Sequence, residues 1–223
     1  VGPDTPVELI GPKARFVSRG GEKLAHALEV FAIDVAGARA VDLGSSTGGF
    51  TDCLLQAGAE TVAAVDVGYN QLDYRLREDR RVTVLERTNV RTMDPSELGE
   101  PFAVVVGDLS FISLELVMGN VAALAAPDAD IVLLVKPQFE VGKGQVGRGG
   151  VVSDPALWAQ AIGRIINAGQ AHGLGVRGVV TSPLRGASAG NREFLLWLQH
   201  GPADLPAEAL EQALEQLPEG SAS

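Results

Sequence analysis

Apolar runs of strand length recur along this chain, separated by segments of helical spacing, and no other feature narrows its possible folds as much. A strand that is apolar at consecutive positions has to be covered on both faces, which a parallel sheet flanked by helices achieves. The runs predict strands over 40–43, 61–66, 82–85, 102–107, 131–135, 176–181 and 194–199. Helices are predicted over 21–31, where Leu24, Leu28 and Phe31 form one stripe, and over 49–57, 114–125 and 155–172. The last has a clear start, since Asp154 suits a cap and Pro155 suits a first helical position that needs no amide partner. No helical pattern separates the final two strands. The stretch 182–192 is rich in Pro, Gly, Ser and Ala, so these strands should pair antiparallel as a hairpin at the sheet edge. The expected architecture is α/β and Rossmann-like, with a seven-stranded, mostly parallel sheet.

At 223 residues the chain suits one well-cored domain, read here as 17–200, with a linker or tail over 1–16 and an acidic tail over 201–223 holding a short helix over 206–217. No apolar run approaches the ~20 residues of a membrane span, and the first residues do not resemble a signal peptide, so a cytoplasmic protein with no membrane partner is expected. Cys53 is the only cysteine, and His26, His172 and His200 lack ligand spacing, so no metal site is expected. Cys53 reads as a small packed thiol rather than a nucleophile. The net charge of −10 argues at first against a nucleic-acid partner. Five of the 28 acids, however, fall in 201–223 without a single base, which leaves 23 acids against 18 bases elsewhere. A basic face remains open to the rest of the chain, with Lys13, Arg15, Arg19, Lys143, Arg148, Arg185 and Arg192 as its candidates, each of them singly an ordinary surface charge.

In open α/β sheets ligands bind beyond the carboxyl ends of the strands, so polar residues that follow apolar runs carry the chemistry. Four such places stand out: Asp42 to Gly49, Asp66, Asp108 and Lys136. In the first, Gly44, Gly48 and Gly49 permit a tight turn and close approach to a ligand, and the helix that follows offers free amides. Asp66 lies 24 residues after Asp42, near the ~20-residue offset at which an acid accepts hydrogen bonds from a ribose diol. The loop Gly44-Ser45-Ser46-Thr47-Gly48-Gly49 lacks the GxGxxG order that brings a pyrophosphate onto the helix, so S-adenosylmethionine (SAM) suits it better than NAD. Asp108 and Lys136 end strands that should be buried, where a charge must pair or act on a ligand, and an ordinary salt bridge between them is the competing reading. By spacing alone Lys23 and Glu193 look like surface charges.

The segments VSRGGEKL (17–24), DLGSSTGGFTDCLL (42–55), DVGYNQL (66–72), ERTNVR (86–91), GDLSFISL (107–114), LVKPQFEVGKGQVGRGGVV (134–152) and GNREFLLWL (190–198) together resemble the TlyA, or haemolysin A, family, which is similar to the FtsJ-type ribosomal RNA 2′-O-methyltransferases. The resemblance runs from about 16 to 199. It implies a class I SAM-dependent methyltransferase fold and methylation of ribose, in cytidine, within ribosomal RNA or ribosomal subunits. It also implies a catalytic tetrad, which falls on Lys23, Asp108, Lys136 and Glu193. For the cofactor it implies Asp42, Gly44, Ser45, Ser46, Thr47, Gly48, Gly49, Asp66, Val67 and Asp108, with Asn89 and Val90 beside the adenine. An S4-like RNA-binding domain usually precedes this part in the family, and the stretch before Val17 is too short to hold one. Two rivals remain: a membrane-active haemolysin, disfavoured by the acidic charge and the lack of a spanning segment, and a non-catalytic SAM- or RNA-binding module. The glycine-rich stretch 142–150 reads equally as a flap over substrate or as a plain connection. The oligomeric state cannot be read from these residues.

Overall fold

The computed structural model describes residues 14–186 and 190–202, together with the single positions 205 and 212. The expected tails, the short helix over 206–217 and Lys13 therefore lie largely or wholly outside the described residues. Seven strands form one sheet: β1 (Arg39–Leu43), β2 (Thr61–Val65), β3 (Val82–Leu85), β4 (Phe102–Gly107), β5 (Ala125–Val135), β6 (Leu174–Thr181) and β7 (Phe194–His200). Their order is β3-β2-β1-β4-β5-β7-β6, parallel from β3 to β5 and antiparallel where β7 enters between β5 and β6. This is the mostly parallel α/β sheet with an antiparallel edge pair that the apolar runs predict.

Both faces are covered, as the continuous apolar strands require. Alternate residues of each central strand point to opposite sides. Val41, Val105, Ile131 and Leu133 join one core with Met118, Trp158, Ile162 and Ile165, from α4 (Met118–Leu124) and α6 (Pro155–Ala171). Ala40, Val104, Val132 and Leu134 join the other with Leu24, Phe50, Cys53 and Leu54, from α1 (Gly20–Val30) and α2 (Gly49–Gln56). Cys53 is buried there, and burial pushes its thiol up to about 12, which fits a packed residue and not a nucleophile. The start of α6 is as expected: Asp154 accepts from the Ala156 amide at 2.9 Å and Pro155 opens the helix.

The helix expected over 114–125 is divided. A 3₁₀ turn at Leu114–Leu116 precedes α4, and Ala125 already begins β5. That early start has no mark in the sequence, because 125–130, Ala-Ala-Pro-Asp-Ala-Asp, has neither apolar alternation nor a continuous apolar run, and its pairing with β4 slips between Phe102 and Val104. Two further one-turn helices, α3 (Tyr74–Arg77) and α5 (Pro137–Glu140), are too short to show a period.

Candidate active site

The carboxyl ends of β1, β2, β4 and β5 open onto two adjoining cavities of about 600 and 480 Å³, which share Gly44, Ser46, Asp108, Ser110 and Phe111. The larger runs towards Lys23, Lys136, Asn191 and Glu193, the smaller towards Asp66, Val67, Asn89 and Val90. Among the expected cofactor residues only Gly48 lines neither cavity; it turns the backbone under them, with φ of +97°.

The glycine turn is shaped by what lies above and below it. At Gly44, with φ of +85°, a Cβ would stand 2.9 Å from the Leu109 side chain and 3.0 Å from the Asp108 carbonyl oxygen. At Gly49 it would stand 2.3 Å from Ser18 Oγ and 2.9 Å from the Gly21 nitrogen, so glycine there lets α1, which carries Lys23, approach the turn. Asp66 braces the same loop: its Oδ2 accepts from the Ser46 amide at 2.8 Å and its Oδ1 from the Gly68 amide at 2.6 Å. Asp42 is fully buried beneath the turn. Its Oδ2 accepts from the Thr51 amide at 2.9 Å and hydroxyl at 2.7 Å, while Oδ1 has no partner. Burial first, and then the negative charges of Asp108 and Asp66, push its carboxyl up to about 7 against the hydrogen bonds from Thr51.

Four charged side chains meet in the larger cavity as two ion pairs. Lys136 Nζ, at the end of β5, lies 2.6 Å from Asp108 Oδ1, at the end of β4, and also donates to Ser110 Oγ at 2.6 Å. Lys23 Nζ, on α1, donates to Glu193 Oε2, at the start of β7, at 2.5 Å. Lys23 and Glu193 are buried, which corrects the impression of surface charges that spacing alone gives. The ordinary salt bridge considered for Asp108 and Lys136 does exist, but it lines the open cleft instead of being sealed in the core. Among the described residues no group of His, Cys, Asp and Glu could hold a metal ion, and no helix is long and apolar enough to cross a membrane.

The model of the FtsJ-like methyltransferases matches residues 16–200. The chain belongs to that family. It is 54% identical over 202 residues to the 16S/23S rRNA (cytidine-2′-O)-methyltransferase TlyA of Mycobacterium tuberculosis, covering 90% of this chain and 75% of that protein. To Hemolysin A of Brachyspira hyodysenteriae it is 39% identical, over 81% of this chain and 75% of the relative. A crystal structure of a protein from Lactococcus lactis, likewise named as a hemolysin, superposes with a TM-score of 0.86 at 40% identity, covering 91% of this chain and 98% of that one.

Several residues of this FtsJ-like cleft escape the sequence reasoning. Phe111 lines both cavities, is 92% exposed, and sits at φ of +65°, a conformation bulky residues rarely adopt; its ring packs 5.3 Å from Phe139. A large aromatic in the polar loop after β4, four residues past Gly107, is the only trace of it in the sequence. Glu140 is buried at the end of α5 and accepts from Ser113 Oγ at 2.5 Å and the Leu114 amide at 3.0 Å, which ties the loop after β4 to the segment after β5; burial raises its carboxyl. Asn191 Oδ1 accepts from the Val152 amide at 2.9 Å, and its Nδ2 donates to the Gly150 carbonyl at 2.8 Å. One end of the glycine-rich stretch is thereby fastened beside Glu193. No sequence signal distinguishes either residue from a solvated polar side chain.

Proposed function

We propose that this chain transfers the methyl group of SAM to the 2′-hydroxyl of a cytidine in ribosomal RNA. One observation carries the reading: Lys136 Nζ, within 2.6 Å of both Asp108 and Ser110, shares a cleft with the buried Lys23–Glu193 pair directly beside the glycine turn. The smaller cavity suits the adenosine of the donor, with Asp66 at the ribose diol and Asn89 and Val90 along the base. The unpartnered Asp42 oxygen, buried where the larger cavity meets the turn, suits the donor's ammonium. When bound, SAM supplies an electrophilic methyl on a sulfonium.

The protein's own residues then have the remaining work. A ribose hydroxyl becomes nucleophilic as its proton passes to solvent in the open cleft, and the Lys136 ammonium offsets the negative charge that builds on the oxygen. Asp108 and Ser110 hold that ammonium in place; Glu193 holds Lys23, which orients the ribose from the opposite wall. The exposed Phe111, backed by Phe139, offers a stacking face for a base turned out of its helix. The names of the relatives support ribosomal RNA as substrate.

The test incubates the chain with radiolabelled SAM and isolated 30S, 50S and 70S particles and maps the label. Lys136→Ala is expected to keep SAM binding and lose transfer by about 10²–10⁴-fold. Methylation retained by that variant would overturn the assignment.

A further inference from the structure

Two arginines stand on the Lys23 side of the cleft and, among the described residues, have no acidic partner; a third lies nearby. Arg19 is the residue before α1 and stands one helical turn ahead of Lys23; Arg185 lies in the loop between β6 and β7; both are exposed and both line the larger cavity. Arg19 Nη2 donates to the Arg185 carbonyl oxygen at 3.1 Å, so the start of α1 and this loop are held together. Arg192, the residue before Glu193, is buried and turned towards α6, its guanidinium 5.1 Å from the centre of the Trp158 ring, and does not line the cavity. Among the described residues none of the three forms an ion pair with a carboxylate. The neighbouring acid, Glu193, is committed to Lys23.

Like charges gathered without neutralisation are costly unless an anion visits them. Burial, and then the charge of Arg185, holds the Arg192 guanidinium below its usual range, so these two cations feel one another. The loop also presses on the reacting centre: a Cβ on Gly186 would stand 2.8 Å from Glu193 Oε1, which places the backbone beside Arg185 directly over the Lys23–Glu193 pair. An anion bound here is therefore a close neighbour of the group that Lys23 orients. In a ribonucleotide the anion nearest the 2′-oxygen is the phosphodiester on the adjacent 3′-oxygen.

We infer that Arg19 and Arg185 form the site for the phosphodiester on the 3′ side of the target ribose. This rests on the cleft being that of a ribose 2′-O-methyltransferase. The site fixes which way the strand crosses the cleft, because a 5′ phosphate lies on the far side of the sugar from the 2′-hydroxyl. Arg192 adds to the positive potential without needing to touch the ligand.

The experiment titrates the full chain, with SAM present, with cytidine, cytidine 3′-monophosphate, cytidine 5′-monophosphate and inorganic phosphate, following binding by NMR. The 3′-nucleotide is expected to bind about tenfold more tightly than the nucleoside, and Arg19→Ala/Arg185→Ala is expected to erase that gain while SAM affinity is kept. Equal binding of the 3′- and 5′-nucleotides, a preference for inorganic phosphate alone, or a gain that survives in the variant would each overturn the assignment. Methylation of ribosomal subunits by the same proteins separates this inference from the reading beneath it. Transfer by wild-type protein with an unchanged KM for subunits in the variant removes the site and leaves the methyltransferase. A 3′-phosphate preference lost in the variant, without any transfer by the wild-type protein, leaves an anion site and removes the methyltransferase.

Discussion

The two ion pairs of the cleft are built from the same charges and differ in how they are held. Lys136 and Asp108 end adjacent parallel strands, so the sheet register sets their spacing, and the Asp108 side chain keeps 23% of its surface in contact with solvent. Lys23 and Glu193 lie 170 residues apart, on the first helix and just before the last strand; Lys23 is as buried as Lys136, but the Glu193 side chain keeps only 3% of its surface in contact with solvent. An open pair can exchange its partner for a substrate at little cost. A pair with both members buried fastens α1 to β7, and removing either member leaves a bare charge in a low-dielectric setting. Under the proposed methyl transfer, this contrast gives transition-state charge to Lys136, and orientation together with integrity of the cleft wall to Lys23.

The largest effect that would break this contrast is on stability. Lys23→Met should destabilise the fold by about 3–5 kcal/mol, because Glu193 is left buried and unpaired. Lys136→Met should cost less, since the Asp108 side chain, though its Oδ1 is buried, keeps 23% of its surface in contact with solvent. Adding Glu193→Gln to Lys23→Met should restore most of the stability without restoring transfer. Urea denaturation of the four proteins checks this. Equal losses for the two lysine variants would show that the pairs are not distinguished by burial.

Legibility in the sequence follows the same line. Asp42, Asp66, Asp108 and Lys136 stand out because each ends an apolar run, and a sheet of this class presents strand ends to one cleft. The fold was equally readable, since seven runs and a helix-free gap before the last of them leave few topologies. Lys23 and Glu193 carry no such mark. A lysine on an amphipathic helix and a glutamate ahead of a strand look solvated until the helix is docked, and only the family resemblance singles them out. Glu140 and Asn191 lie further from reach, because their roles are hydrogen bonds to distant backbone amides, fixed by tertiary closure alone. Phe111 depends on a backbone conformation that its residue type disfavours, so no propensity predicts it.

A smaller effect probes what the open pair does to its surroundings. Asp42, pushed up to about 7 by burial and then by the charges of Asp108 and Asp66, keeps its proton in the folded chain well above the ordinary carboxylate value of 3.8. The folded state thus binds a proton that the unfolded state has released. Its contribution to stability is complete below about pH 4, falls as pH rises through the window from 4 to 7, and is fully lost above it. Thermal denaturation of wild-type and Asp42→Asn proteins across that window should show a wild-type stability that declines by a few kcal/mol relative to the variant. Asp108→Asn should narrow the window from its upper end. If it leaves the window unchanged, Lys136 cancels the Asp108 charge completely as felt at Asp42, and the open pair is electrically closed.

The smallest effect separates the two holds on Lys136 itself. Its ammonium touches Asp108 on one side and Ser110 on the other, and Ser110 is exposed, so Ser110→Ala removes one anchor without disturbing the core. Losing a hydrogen bond to a charged group costs about 1.5–3 kcal/mol where the geometry must be kept, which predicts a kcat reduced by roughly tenfold or more. SAM affinity and thermal stability should stay at wild-type values. A kcat equal to wild type would mean that Asp108 alone aims the ammonium. A kcat as low as that of Lys136→Ala would mean that an ion pair open to water cannot hold its lysine unaided, and that the openness which frees Lys136 for substrate is workable only because a neutral hydroxyl supplies the second contact.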